Sequence, residues 1–365
     1  MPYLNDINER IPDKRYTQVA CAISFWVFSF VYLYFYQAEV LAAGQHMLSG
    51  GRTYYSRLIG AFLITLTLYL LQVVVVRIVP IYKRGHALTY FPSLLILTII
   101  TDFSPSANSG FPKGGWLIAI PILIVIYCFI LWVLKQIEPY EPETASKGLM
   151  SRTTWVNLLT MCIMFLAVGI FSNGDEAFHY RMKMEQLITE DKYDEALKIG
   201  RRSQATDTAL TMLRAYALST KGLLGERFFH YPLADGVRQL ETDSISMNSI
   251  LIADSVIKNM VETPRAKADY RLMNLLLKKD LSTFHALVSK VYPDSLMPRH
   301  FEEALIYYRY YSGLPMKDSL DNVTETDFHD FREKEKEQQG RITQNQLRRT
   351  FGNTYWYYYK FVGNK

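Results

Sequence analysis

The residues of this sequence best placed to do chemistry are ionisable groups that stand at the ends of long apolar runs. Glu39 follows the first run, Asp102 ends the third, Arg52 and Arg57 lie between the first two, and His179 follows the last. Ionisable groups at the edge of a bilayer are costly to desolvate and often mark functional sites. We therefore take these five as candidate functional residues, with Glu39 and Asp102 first. The simpler alternative is that they mark where water begins.

No known catalytic or metal-binding motif accompanies these charges. The seven histidines show no metal-ligand spacing, and the chain has no glycine-rich phosphate loop and no nucleophile elbow. The three cysteines, Cys21, Cys128 and Cys162, all lie inside apolar runs, where a thiol behaves as a small hydrophobe. We therefore predict no metal, no cofactor and no disulfide framework, and the sequence leans away from an enzyme.

The composition excludes one large class of partner. The 365 residues are 49% hydrophobic and 21% charged, with a formal net charge of +5. Basic residues flank the apolar runs instead of forming one patch, so a nucleic-acid partner is not indicated. The apolar residues are concentrated in the first half of the chain and the charges in the second. This asymmetry predicts a membrane half, residues 1–174, and a water-soluble half, residues 175–365.

The membrane half contains five apolar runs, so the first predicted partner is the lipid bilayer. A helix needs about 20 apolar residues to cross the hydrocarbon core. The third run is short, contains Pro92 and stops at Asp102, so a re-entrant or core helix is an alternative to a crossing. The predicted spans are residues 16–38, 58–76, 87–103, 116–134 and 153–172.

The distribution of Lys and Arg predicts the orientation, because basic residues accumulate in cytoplasmic loops. With five spans and a cytoplasmic N-terminus, the inner segments carry the larger share of these residues, and the C-terminal half lies outside the cytoplasm. If the third run does not cross, the asymmetry is weaker and the C-terminal half is cytoplasmic. In the five-span arrangement the inner residues are Arg10, Lys14, Arg15, Arg77, Lys83, Arg84, Lys135, Lys147 and Arg152, and the outer ones are Arg52, Arg57 and Lys113.

The C-terminal half has the periodicity of helices and few alternating β-type runs, so the fold class is all-α: a membrane bundle followed by a soluble helical domain. Prolines and glycines divide this half into successive segments. A run of aromatic residues at its end has rings on every side, which predicts a cap on the helical stack or a docked helix. Predicted helices include residues 223–230, 246–260, 264–278, 281–291, 299–312, 324–339 and 344–361.

One segment resembles the tetratricopeptide repeat family. The run from Asp191 to Leu197 is similar to the inter-helix turn and second helix of that repeat, where a small residue at the Ala196 position lets two helices approach and the Tyr193 ring fills the gap beside it. The resemblance therefore implies structural roles for Tyr193, Ala196 and Leu197. The chain departs from the pattern in lacking a clean period of about 34 residues.

The whole layout also resembles a domain-of-unknown-function family of bacterial multi-pass inner-membrane proteins. The resemblance is most specific at the aromatic ending, Phe351 to Tyr359. It implies the bacterial cytoplasmic (inner) membrane as the location, with a tetratricopeptide-like C-terminal region. It implies no reaction.

Two functional hypotheses follow from these observations. In the first, the chain is a membrane-anchored scaffold whose helical domain binds a protein or peptide partner, as stacked helix pairs tend to do. In the second, it is an enzyme or transporter that acts on a lipid-linked substrate. Glu39 lies near the position at which glycosyltransferases of that kind carry an acidic residue in the first outer loop.

Overall fold

The computed structural model describes residues 3–81, 84–102, 115–137, 151–234, 240, 250–252, 263–292, 297–315, 322–337 and 341–362. The chain divides into two compact units, Met1–Asp175 and Glu176–Lys365. The described residues form helices and no strands, which confirms the predicted all-α class. Phe103 of the third predicted span lies outside the described residues, as do Lys83, Lys113 and Lys147 of the charge count.

The first unit is built from six α-helices and two short helical turns among its described residues. A π-helical turn, Tyr32–Tyr36, ends α1, and a 3-10 turn, His86–Tyr90, leads into α4. The helices are α1 (Tyr3–Val31), α2 (Ala38–Ser49), α3 (Arg57–Ile78), α4 (Phe91–Thr101), α5 (Gly115–Ile137) and α6 (Arg152–Phe171).

Four stretches of this unit are long and apolar enough to cross a membrane: Arg15–Tyr36, Arg57–Ile78, Gly115–Ile137 and Arg152–Phe171. They coincide with four of the five predicted spans. The third run forms the shorter apolar stretch His86–Thr101. The helix α2 was missed, because its sequence was taken as part of an outer loop.

Side-chain contacts at both ends of the helices fix their directions. Thr17 pairs with Thr154 at one end of α1 and α6, and Tyr32 pairs with Ser172 at the other, so these two helices are parallel. The Ala87 N–H donates to Asn157 Oδ1, and the Asn173 N–H donates to the Thr101 carbonyl. The third run is therefore parallel to α6 as well.

The intervening helices run the opposite way. Gln72 donates to Thr89, and Ser93 donates to the Leu68 carbonyl, so α3 is antiparallel to the third run. The α5 helix is also antiparallel, because Trp116 bonds Asp102 while its other half packs against the start of α4, where Tyr127 donates to the Leu88 carbonyl. The five apolar segments therefore alternate in direction along the chain.

Apolar residues form both the interior and the surface of this unit. Cys21, Phe25, Leu97 and Met161 are among the buried residues that join α1, the third run and α6. On the outside, Leu117 of α5 is 81% exposed, and long apolar side chains are exposed along α3 and α6 as well. An apolar exterior on helices of this length is the surface that a lipid environment would cover.

The second unit is a stack of shorter helices. It begins with α7 (Glu176–Thr189). The remaining helices of its described residues are α8 (Tyr193–Ala196), α9 (Thr208–Thr220), α10 (Leu224–Arg227) with a 3-10 turn (Phe228–His230), α11 (Pro264–Leu277), α12 (Leu281–Val291), α13 (Arg299–Ser312), α14 (Asn322–Glu337), α15 (Arg341–Phe351) and α16 (Tyr355–Phe361).

Local caps set several of these boundaries. Asp207, Thr263 and Asp280 each accept a backbone N–H in the first turn of α9, α11 and α12, and Gly313 ends α13 in the left-handed conformation. The predicted helix 344–361 is two helices, which break at Gly352. The predicted helix 246–260 lies outside the described residues except for 250–252, which are not helical.

The repeat-like segment begins as expected and then ends early. Helix α7 turns at Asp191, which has a positive φ of 58°, and α8 follows directly. That second helix has only four residues, because the chain continues as turns to Gly200, whose φ of 59° is left-handed. Helix α8 is therefore shorter than the second helix of the repeat that the sequence resembles.

Candidate functional site

Two of the sequence-predicted residues form an ion pair in the first unit. The Arg57 Nη2 atom donates to Glu39 Oε1 at 3.0 Å. The Glu39 side chain is only 8% exposed, whereas that of Arg57 is 37% exposed. A buried carboxylate needs such a partner, because leaving it unpaired in a dry environment costs several kcal/mol. The pair therefore gives Glu39 a structural role.

The backbone around Glu39 explains why the carboxylate is buried there. The π-helical turn Tyr32–Tyr36 ends α1, and α2 begins immediately after Gln37. Glu39 lies in the first turn of α2, where the helix dipole favours a negative charge. Arg57 is the first residue of α3 and reaches back to it. Single-turn π-helices are rare in proteins overall, and those that occur are often found at functional sites.

The other two candidates of the first unit lie apart from this pair. Asp102 caps the end of α4 and accepts the Trp116 Nε1 proton at 2.7 Å, which ties the start of α5 to the third run. Arg52 is exposed, in the turn that follows the left-handed glycines at positions 50 and 51. The structure therefore brings Glu39 and Arg57 together and assigns Asp102 a separate contact.

A buried polar cluster that the sequence reasoning missed lies at the ends of α1, α4 and α6. Gln37 Nε2 donates to the Tyr32 hydroxyl at 3.0 Å and to the Asn173 carbonyl at 3.1 Å, and Tyr32 pairs with Ser172. Gln37 is fully buried, and its Oε1 atom has no hydrogen-bond partner among the described residues. The sequence signal was weak, because these residues are common and far apart in the chain.

The fifth candidate, His179, belongs to the second unit. It lies on the first turns of α7, is half-buried, and packs beside Phe178 with ring centroids 6.1 Å apart. In the part of the chain that the structure describes, no group of three or more His, Cys, Asp or Glu residues is arranged to hold a metal ion.

The three repeat-motif residues lie in or beside the core of the second unit. Ala196 and Leu197 are buried in the core of the second unit, and the half-buried Tyr193 ring packs beside Tyr216 at 6.4 Å. The Tyr193 hydroxyl donates to Asp191 at 3.2 Å, which braces the turn. The contacts of these residues are those of packing and turn-stabilising side chains.

The most connected ionisable group of the second unit is Glu303 of α13, which the sequence did not single out. It is fully buried and accepts from Arg299 Nε at 2.9 Å and from the Tyr355 N–H at 2.8 Å. His300 Nε2 accepts the Phe229 N–H, so its proton lies on Nδ1 and is donated to Glu303 at 2.9 Å. Residues of α13 and the start of α16 therefore meet at one carboxylate, and His300 links the 3-10 turn to it.

Two further charges are buried in the second unit. Glu185 accepts the N–H groups of Ile250 and Leu251, each at 2.8 Å, and pairs with Arg181. Burial raises its pKa. Arg214 is 1% exposed and donates to the carbonyls of Gly200 and Pro232. Burial lowers its pKa to about 10. Both groups fasten loops onto helices.

A cationic surface feature of the second unit lies along α11. Three exposed cations, Lys267, Arg271 and Lys278, line one cavity of about 390 Å³. Tyr270 and Asn274 contribute to its wall, and Leu240 closes one side. We call this the α11 groove. It concentrates positive charge at a concave surface, which favours an anionic ligand.

The comparisons with known proteins address only part of the chain. No curated protein and no solved structure matches it. Residues 235–362, about a third of the chain, match the Family of unknown function (DUF6057). That stretch contains α11 to α16, the α11 groove and the aromatic ending, so the C-terminal region of this chain is similar to a family whose function is not known.

Proposed function

We propose that the protein is a membrane-anchored scaffold whose second unit binds a protein or peptide partner. The first unit supplies the anchor, since four of its helices are long and apolar enough to cross a bilayer. The second unit supplies the docking surface. The observation that carries the proposal is the α11 groove, an open cavity with three cations on a rigid helix.

The proposal includes a topology. The five apolar segments alternate in direction, which is the pattern of five successive crossings. The stretch His86–Thr101 extends beside α6 from the level of Asn157 to that of Asn173, about 24 Å along a helix of this pitch. That is slightly less than the hydrocarbon thickness, a mismatch that local thinning accommodates.

With five crossings, the excess of Lys and Arg on the N-terminal side supports a cytoplasmic N-terminus and an extracytoplasmic second unit. The tetratricopeptide resemblance and the bacterial inner-membrane location belong to this same proposal. Support for the repeat-like character is the helix–turn–helix of α7 and α8 with buried Ala196 and Leu197.

A photo-crosslinking experiment tests partner binding. A photoreactive amino acid at position 271, in the groove, is compared with the same residue at the exposed position 290 on α12, and the full-length chain is irradiated in its membrane. We expect a discrete adduct from position 271 and none from position 290. Identical adduct patterns from both positions, or none from either, would contradict the proposal.

The alternative function, chemistry on a lipid-linked substrate, depended mainly on Glu39. Its ion pair with Arg57 occupies one carboxylate oxygen and holds the side chain in the interior. A catalytic acid must reach its substrate within hydrogen-bond distance. No geometry of the described residues favours this second function over the scaffold.

A further inference from the structure

We propose that the α11 groove binds an extended peptide segment that carries three acidic side chains in a defined spacing. The inference rests on the proposed scaffold function and names the chemical class of its partner. Lys267, Arg271 and Lys278 are all exposed and all line the same cavity.

The spacing of the cations selects an elongated ligand. At 1.5 Å per residue, Lys267 and Arg271 are about 6 Å apart along α11, and Arg271 and Lys278 about 10 Å. At 100° per residue, the three lie within about 40° of one another around the helix. A single phosphate or carboxylate cannot contact cations about 16 Å apart. A ligand that uses the whole groove must therefore carry several anionic groups in a row.

An extended peptide matches these distances. It rises by about 3.3 Å per residue, so two residues cover the first interval and three cover the second. The inferred motif is therefore acidic-x-acidic-x-x-acidic. Side chains alternate along an extended peptide, so the third acidic residue leaves the opposite face from the first two. A local turn of the ligand, together with the length of the Glu and Lys side chains, brings it back to Lys278.

One wall of the groove already binds the backbone of another segment of the chain. The Leu240 N–H donates to Asn274 Oδ1 at 2.6 Å, and Asn274 Nδ2 donates to the Leu240 carbonyl at 3.2 Å. One side-chain amide of α11 thus pairs with both backbone polar groups of a single residue. Beside it, the buried Tyr270 hydroxyl has no hydrogen-bond partner among the described residues. This hydroxyl is buried, so it belongs to the wall of the groove and not to its open surface.

The charges of the described lining residues also favour an anionic ligand. Among the described residues that line it there is no Asp or Glu, and Asp269 of the same helix is buried and accepts from the Tyr292 hydroxyl. Three like charges on one face repel one another, and a ligand with three carboxylates removes that repulsion. Charge complementarity therefore favours an acidic peptide over an apolar one.

Direct binding measurements with synthetic peptides test the inference. The purified full-length chain in lipid nanodiscs is titrated with a fluorescent peptide Ser-Glu-Gly-Glu-Ser-Gly-Glu-Ser. Matched peptides have Gln in place of each Glu, or the three Glu residues side by side. We expect the spaced acidic peptide to bind at least about tenfold more tightly than the Gln peptide and about fivefold more tightly than the clustered one.

Variants of the chain assign the binding to the groove. The double variant Lys267→Glu, Arg271→Glu should weaken binding of the spaced peptide by at least about tenfold. Lys290→Glu, a charge reversal at an exposed position of α12, is the matched control and should leave it within about twofold. Raising the salt from about 50 to 500 mM should weaken binding, because exposed charge pairs are screened.

The outcomes separate this inference from the proposed function. Equal binding of the spaced and clustered peptides, or tighter binding of a short oligothymidylate, would overturn the acidic-peptide motif. So would a Lys290→Glu variant as defective as the groove variant. If crosslinking from position 271 yields a partner while no acidic peptide binds, the scaffold function stands and this ligand class fails. If neither experiment gives a signal, both fail.

Discussion

At the scale of single residues, the second unit depends on buried charges that are fully engaged. Glu303 joins the start of α13, the 3-10 turn after α10 through His300, and the start of α16. Its backbone carbonyl also accepts the Trp356 Nε1 proton at 2.7 Å. The aromatic ending of the chain is thus held by polar contacts as well as by ring packing.

We expect Glu303→Ala to destabilise the second unit by about 3–5 kcal/mol, because it strands buried donors on His300 and on the backbone of Tyr355. Hydrogen exchange of the α13 and α16 amides in the full-length chain measures the loss as faster exchange. The exposed Glu195 of the same unit is the control, and Glu195→Ala should change stability by less than about 0.5 kcal/mol. Equal effects of the two substitutions would contradict the assignment.

His230 gives a second prediction at this scale. Burial, reinforced by the neighbouring His300 and Arg299, lowers its pKa from 6.5 to about 4. The folded state therefore resists protonation that the unfolded state accepts below pH 6.5, and stability is lost as the pH falls from about 6.5 towards 4. Between about pH 7.5 and 5 the loss from this group is at most about 2 kcal/mol.

Pulse proteolysis of the full-length chain across a urea series at the two pH values measures this effect. In the variant His230→Gln, which keeps a polar side chain that does not titrate, the loss should be smaller by about the same amount. A variant whose stability falls as steeply with pH as that of the native chain would show that another group is responsible.

At the scale of elements, the close approach of α10 to α13 is a packing constraint. A Cβ atom added at Gly225 would lie 2.7 Å from Pro298 Cβ and 2.9 Å from Phe301 Cε2. These atoms belong to the start of α13, where Phe301 is fully buried. Only a residue without a side chain allows the two elements to pack at this distance.

We therefore expect Gly225→Ala to lower stability by about 1–3 kcal/mol through overpacking, even though alanine is the better helix former. Circular-dichroism melting of the full-length chain shows the loss as a lower Tm. Arg227→Ala, at an exposed position of the same short helix, is the comparison and should have a much smaller effect. An unchanged Tm for Gly225→Ala would mean that α13 can shift to make room.

At the scale of the whole molecule, the number of crossings decides the compartment of the second unit. The third run is shorter than the other four apolar segments, so its length alone does not predict a crossing. Its contacts nevertheless show that it is parallel to α1 and α6. An interior element that turned back would bring its two ends to the same level. Thr101 and Ala87 instead contact opposite ends of α6.

Reporter fusions test this topology. We expect fusions after Lys83 and Lys147 to be active only in the cytoplasm, and fusions after Lys113 and Asp191 only outside it, because five crossings alternate the side of each loop. Cytoplasmic activity of the fusions after both Lys113 and Asp191 would show that the third run does not cross. The second unit would then be cytoplasmic.

Much of the architecture could be predicted from the sequence because it follows from local chemistry. Four long apolar runs, the all-α class and the bounds of α12 and α13 depend on hydrophobic periodicity, caps and prolines, all of which act over a few neighbouring residues. Glu39 and Arg57 could also be singled out from the sequence, because each is a charged residue at the end of an apolar run.

The side-chain pairings that only the tertiary structure decided are contacts between residues that are distant in the sequence. The pairing of Glu39 with Arg57, the convergence on Glu303 and the wall that Leu240 adds to the α11 groove join residues up to about 50 positions apart. Such contacts depend on how helices pack, and packing brings ordinary residues together without leaving a local pattern. The sequence therefore determined the elements, whereas the packing decided which side chains meet.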